Sequence, residues 1–530
     1  MPRQFRRIRD VAAAILLAAA AATATPAVAD DWETCAKGSG DDAIAACSNA
    51  IKSGTYTGKT LALAYSNRGV EWKAKGDPDK AIADYNEAIK ADPTQAAAYN
   101  NRGIAYAAKK DYDKAIADYD EAVKLNPKYA SALNNRGLAY FNKGEHPRAI
   151  TDYDEAIKLE PDAVRLNNRG NAFASSKQYD RAIKDFDEAV TLDPKYAIAF
   201  YNRGNAYFAK GDADRAVKNY DQAITLHPKY EDALVNRGVA LEKKGALDRA
   251  VADYNAAVKL DPKDAVAYYN RGNVLLKQRN YDRAISDYDT AIRHKKDYVA
   301  AYFSRAVAFE GKQRYDEAIV DYGHVTRLQP QNAAAWNARC WARTIIGHLR
   351  DAIADCNEAL KLKPDYINAL DSRGFVQLRM GKYEEAIADY NAALKIDPKK
   401  VASLYGRGMA KRRKGEYTAG NADIAAARSI NPDVSKEFVR YGLQPPLSDL
   451  TPATIAEPKD DKEAEDAKDS KAATDAKAAK AAKDSKAAKE IKDEKSAKAV
   501  AADKGAKEPA KGALAGSGKV KKGKNKQEKK

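Results

Sequence analysis

The sequence predicts an all-α fold, a solenoid of eleven stacked helical hairpins. Three observations carry that prediction. Arginine recurs as Arg68, Arg102, Arg136, Arg169, Arg203, Arg237, Arg271, Arg305, Arg339, Arg373 and Arg407, every step thirty-four residues except one of thirty-three. Proline punctuates the same lattice from Pro93 to Pro432, with Lys296 in the one empty slot. Small residues follow the lattice too: Gly comes next after nine of the eleven arginines, and Ala81, Ala115 and eight counterparts stand thirteen residues on, with Gly420 the exception. A fixed period of this length marks units that cannot bury their apolar faces alone and must stack into a continuous core.

Taken in order, the chain opens on a leader. Arg3, Arg6, Arg7 and Arg9 precede the apolar run 11–22, and Ala27-Val28-Ala29 precedes Asp30 as a small-x-small cleavage site. These are the three parts of a secretory signal peptide over residues 1–29, and the run is too short to span a bilayer. Cleavage near Ala29 predicts a periplasmic or secreted mature protein; if the leader is not cleaved, the protein is cytoplasmic. Residues 30–61 read as a degenerate hairpin with Ala43, Ile44 and Ala50 on one face, followed by a Gly/Thr-rich loop. Eleven regular copies then run over 62–434.

Within the copy 96–129, Tyr99, Gly103 and Tyr106 share one face of a first helix, and Ala115, Ile116, Tyr119, Ala122 and Val123 share one face of a second. Gly103 and Ala115 lack bulk where the helices cross. Asn126-Pro127 stops the second helix, because proline cannot continue the ladder and restricts the residue before it. With an aromatic or Leu at position 4 or 11 of the copy, Gly at 8, Ala at 20, Tyr at 24, Ala at 27 and Pro at 32, the sequence resembles the tetratricopeptide repeat (TPR) family. The resemblance implies a right-handed superhelical solenoid whose first helices line a concave groove. A short capping helix is expected over 435–444, before Pro445-Pro446 ends the fold.

The tail, 445–530, is different material. From Glu457 on it is mostly Lys, Ala and Asp/Glu without an aromatic residue, and Lys477 to Lys498 repeat at every third position. That period builds no apolar stripe, so the tail is expected to be disordered. Its use is open between a solvated spacer and adhesion to an anionic envelope polymer or lipid. The tail also accounts for half of the charge: residues 459–530 carry 22 Lys against 14 Asp/Glu, the leader adds +3, and the body keeps only +5 of a total of +16. Nucleic-acid binding is therefore not expected. The composition also excludes an integral membrane bundle, and no segment reads as transmembrane.

Chemistry-bearing motifs are few. No two of the five histidines are three or four residues apart, and no phosphate-cradling loop, nucleophile elbow or metal-ligand spacing occurs. No enzyme activity, cofactor or metal is expected. The lattice arginine has Asp sixteen residues later in ten copies, Asn219 being the exception. This coincidence predicts a ladder of partly buried Arg–Asp ion pairs, within or between copies. The four cysteines form two local pairs. Cys340 replaces the close-contact glycine and Cys356 the core tyrosine of one copy, while Cys35 and Cys47 sit in the two short helices of the first unit. An oxidising compartment permits both as disulfides; four buried free thiols are the alternative.

Asparagine marks the expected groove. Position 6 holds Asn101, Asn135, Asn168, Asn202, Asn236 and Asn270, and position 9 adds Asn171, Asn205 and Asn273. The resemblance places these on the concave side. Asparagine is a poor helix former, so its recurrence needs a reason. Each amide offers a donor and an acceptor to the backbone of an extended peptide; the other use is bonding between neighbouring helices. Tyr201, Tyr269 and Phe303, at position 5, would add apolar contacts. Some TPR proteins hold an acidic C-terminus in the groove with Lys at position 5, and that Lys is missing here. The sequence thus reads as an envelope scaffold that binds a protein or peptide in its groove, or as an adhesin acting through its tail.

Overall fold

The computed structural model describes residues 26–443. Most of the leader and the Lys-rich tail lie outside the described residues, together with the expectations placed on them. Twenty-five helices and no strand make up the described chain. The first unit is α1 (Pro26–Lys37) and α2 (Gly40–Lys52). Then come the pairs α3 (Gly58–Ala74) and α4 (Pro78–Ala91), α5 (Ala96–Ala108) and α6 (Tyr112–Leu125), α7 (Ala130–Asn142) and α8 (His146–Leu159), α9 (Ala163–Ser175) and α10 (Tyr179–Leu192). They continue with α11 (Ala197–Ala209) and α12 (Ala213–Leu226), α13 (Glu231–Lys243) and α14 (Leu247–Leu260), α15 (Ala265–Lys277) and α16 (Tyr281–His294), α17 (Val299–Gly311) and α18 (Tyr315–Leu328). The last are α19 (Ala333–Ile345) and α20 (Leu349–Leu362), α21 (Ile367–Arg379) and α22 (Tyr383–Ile396), α23 (Val401–Arg413) and α24 (Tyr417–Ile430), and α25 (Val434–Arg440).

Each pair packs as a hairpin, and each second helix packs on the first helix of the next copy. First helices of successive copies also touch, α9 on α11 and α19 on α21 among them. Among the described residues the second helices make no comparable contact with one another. First helices therefore line the inside of the curve and second helices its outside. No helix among the described residues is long and apolar enough to cross a membrane.

Local chemistry repeats with the copies. The hairpin turn uses a left-handed residue at one fixed position in all eleven: Gly76, Gly144, Gly211, Gly245, Gly347, Gly381 and Gly415, but Lys110, Lys177, Arg279 and Gln313 in the other four, with φ between 58° and 95°. Glycine adopts this conformation without the Cβ clash that the other four must carry. The residue before the lattice proline is held extended, as in Asn126 (φ −139°) and Asp193 (φ −131°). Lys295 takes the same conformation (φ −133°) although no proline follows. The one-residue deletion falls in the connection between α8 and α9, where the Asp162 carboxylate caps α9 by accepting from the Val164 and Arg165 amides at 2.8 Å.

The core follows one design in most copies. A fully buried tyrosine of the second helix lies against the glycine after the lattice arginine: a Cβ on Gly103 would sit 2.6 Å from Cε1 of Tyr119, and one on Gly170 2.6 Å from Phe186. The glycine is thus the seat of an aromatic ring, a closer constraint than mere small size at a crossing. Cys340 and Cys356 replace both members of this pair, are completely buried and lie at disulfide distance, with Cα atoms 5.4 Å apart. Cys35 and Cys47 do the same between α1 and α2, at 4.6 Å. At the other end α25 lays Phe438 against Tyr405, ring centroids 4.6 Å apart, and Tyr441, just past the helix, lies edge-on to Trp341 at 4.8 Å.

Candidate binding surfaces

The lattice arginine forms two kinds of bond. Arg136 Nε donates to Asp152 Oδ2 at 2.9 Å and Nη2 to Oδ1 at 2.7 Å, a fork across its own hairpin. Its Nη1 donates to Asp120 of the preceding copy at 2.7 Å. The fork recurs at every lattice arginine but Arg203, which meets Asn219. The cross-copy bond finds Asn or Asp two residues after the preceding copy's ladder aspartate (Asn219 in one) in nine copies, from Asn86 to Asn391. Where Gly323 occupies that place, Arg339 reaches Thr326 instead, at 3.1 Å. The shortened copy keeps its rung, because Arg169 simply reaches fifteen residues back to Asp154. The carboxylate of Asp118 holds Arg102 above the ordinary guanidinium value, while burial pushes the Asp118 carboxyl up against the pull of that arginine. The predicted ladder is present, and it runs both within copies, through the fork, and between them, through the Nη1 bond.

On the inner face, the predicted asparagines are half-buried on the first helices. Asn135 Nδ2 donates to Asn100 Oδ1 at 3.0 Å, Asn168 to Asn134 at 3.0 Å and Asn202 to Asn167 at 2.8 Å, each reaching back one copy. Asn236 Nδ2 donates to the Tyr201 hydroxyl and to Asn205 Oδ1, at 3.0 and 2.9 Å. Asn135, Asn168 and Asn202 therefore spend one N–H, and Asn236 both, on the neighbouring first helix, and a partner meets their Oδ1 atoms, which have no hydrogen-bond partner among the described residues, beside the remaining N–H of the first three. Asn101 and Asn270 keep both groups, since Ser66 and Val235 stand where the neighbouring amide would be.

The position-9 asparagines serve the core. Asn205 accepts from the Tyr220 hydroxyl at 2.7 Å and Asn273 from Tyr288 at 2.9 Å. The hydroxyls of Tyr85, Tyr153, Tyr254 and Tyr390 are buried without such a partner. In the copy of Asn171 the core ring is Phe186, which has no hydroxyl, and the Asn171 amide has no hydrogen-bond partner among the described residues. Tyr201 and Tyr269 lie tilted against Tyr230 and Tyr298, ring centroids 4.9 Å apart, and Phe303 meets Tyr322 edge-on at 5.3 Å. Each pair lies within one copy, and Tyr201, Tyr269 and Phe303 are half-buried.

Family models described as tetratricopeptide repeat or TPR repeat match residues 73–110, 103–144, 130–162, 170–211, 201–265, 269–325 and 378–415, more than half of the chain. The chain belongs to the tetratricopeptide repeat family. No curated protein sequence matches it. Solved structures similar to it include YrrB, described as a TPR protein with an unusual peptide-binding site, at 20% identity over 36% of this chain and 98% of that one, TM-score 0.34. A tetratricopeptide repeat protein from Parabacteroides merdae matches at 21% identity over 47% of this chain and 98% of its own, TM-score 0.36. MamA matches at 29% identity over 31% and 96%, TM-score 0.29.

Proposed function

We propose that this chain is a non-catalytic scaffold of the cell envelope that holds an extended segment of a partner polypeptide along its first helices. The observation that carries the reading is the run of acceptors Asn135, Asn168, Asn202 and Asn236, one per copy, oriented by bonds to the neighbouring helix and left unpaired at Oδ1. Acceptors spaced by the repeat suit backbone N–H groups, which every peptide has, so affinity comes with little sequence preference. A photo-crosslinker at Asn168 or Asn202, in chain expressed with its own leader, should capture a partner that a crosslinker on the outer face at Lys184 does not. Changing Asn135, Asn168 and Asn202 together to Ala should then weaken that complex by about 0.5–1.5 kcal/mol per lost acceptor. Full affinity in the triple variant would remove these amides from the recognition surface.

The location belongs to the same proposal. Arg-rich start, apolar run and Ala27-Val28-Ala29 support export, and both cysteine pairs are proposed as disulfides that form in that compartment. A mature N-terminus at Asp30 and no free thiol in the unfolded, unreduced protein are the expected results. The tail is proposed to adhere to anionic envelope polymer or lipid. Retention that is unchanged by high salt or by deleting 457–530 would exclude that role.

A further inference from the structure

One copy breaks the ladder, and it carries a cleft. Arg203 Nε donates to Asn219 Oδ1 at 2.7 Å and Nη1 to Asp187 at 2.7 Å, but Nη2, which meets an aspartate oxygen in the other ten copies, has no partner among the described residues. Asn219 turns its own amide nitrogen to the Arg215 carbonyl at 2.8 Å. Beside this guanidinium lies an open cleft of ≈ 400 Å³ between α10, α11 and α12, lined also by Arg215, Lys218 and the ring of Phe200. Lys218 is the second departure. The residue preceding the ladder aspartate is uncharged in nine copies and is Lys184 in one, where Asp185 is retained. Here a carboxylate is lost and an ammonium gained at adjacent positions. Asp187 is the one acid in the lining, already bonded to Arg203, and Asp212 pairs with Arg215 from outside it.

We propose that this cleft, on the outer face formed by the second helices, binds a carboxylate of a partner polypeptide, an Asp or Glu side chain taking the place of the missing ladder acid. The guanidinium is already held by two bonds, so little ordering is needed to engage its free edge, and charge-assisted bonds are the strong ones. Lys218 and Arg215 supply attraction around it, and the Phe200 face accommodates the methylenes of a glutamate. The site is independent of the inner groove and stands or falls separately from it.

The test uses the full chain and a hexaglutamate peptide, with hexaglutamine as control, read by hydrogen–deuterium exchange over Phe200–Gln222, so that peptide held by the Lys-rich tail does not register. Hexaglutamate should protect this segment and hexaglutamine should not. Asn219→Asp restores the ladder acid, so it should fold with a melting temperature at or above that of the parent while weakening the peptide concentration dependence about tenfold or more. Lys218→Ala should weaken it less. Equal protection in the parent and in Asn219→Asp would overturn the proposal, as would a lower melting temperature of Asn219→Asp. Protection by inorganic phosphate without protection by hexaglutamate would overturn the assignment to a carboxylate.

Discussion

Glu310 should make the stability of its neighbourhood depend on pH. It sits near the end of α17 with Oε1 buried and unpartnered, and burial pushes its carboxyl up from the ordinary 4.5 to about 7, against the lowering effect of the Tyr322 hydroxyl. Between those two values the folded chain keeps a proton that the unfolded chain has released. The stabilisation is therefore complete below about pH 4.5, declines as pH rises through the window, and is gone above about 7. At 1.36 kcal/mol per unit of pH, the difference amounts to about 3 kcal/mol. Glu310→Gln keeps the shape and removes the charge, so it should be close to neutral at pH 4.5 and stabilising by up to that amount at pH 8. Urea denaturation of parent and variant at pH 4.5, 6 and 8 checks this, because every other titrating group cancels in the difference. A parent–variant difference that stays flat with pH, or a variant less stable at pH 8, would refute the reasoning.

Lys110→Gly, Lys177→Gly and Arg279→Gly relieve a left-handed backbone but loosen the unfolded chain; each should stabilise by about 0.5–1 kcal/mol in urea denaturation, and a loss would mean that the side chains matter more than the turn. Gly170→Ala places a Cβ 2.6 Å from the Phe186 ring, and should cost about 1–3 kcal/mol by the same assay, where an ordinary exposed helical Gly→Ala would gain. Arg237→Lys keeps the charge but loses the fork to Asp253 and the bond to Asp221; a cost of about 2 kcal/mol is expected, and a neutral result would reduce the ladder to ornament.

The hairpin array was legible because its determinants recur in one register: arginine, glycine and proline need no context to be counted. The fork was legible for the same reason, since Asp follows Arg at a constant spacing. The acceptor of the rung to the preceding copy was not, because it alternates among Asp, Asn, Thr326 and, for Arg68, Ser48, and has no single letter to repeat. The asparagine line shows a different limit. A residue that bonds the neighbouring helix and one that faces a ligand recur with the same period, and only coordinates separate donor from acceptor. The bonds of Asn205 and Asn273 to core hydroxyls were not legible, because those partners lie on the other helix. Asn219 was visible as an exception in the series, but the cleft beside it takes three helices to build. Glu310 carried no signal at all, one glutamate among many, distinguished only by what buries it.

The rung from each copy to the next also determines how such an array ends. A chain of identical links is open at both ends and can add a second molecule head to tail, which is how heterologous contacts grow into filaments. Here neither end can continue the series. Ala425 stands where the eleventh copy would present an acceptor to a twelfth arginine, and α1 contains no arginine to receive one. Val434 and Phe438 of α25 close over the last exposed core, both buried. The described solenoid is thereby a ruler of fixed length, with no link of this lattice left over at either end for a second molecule to extend.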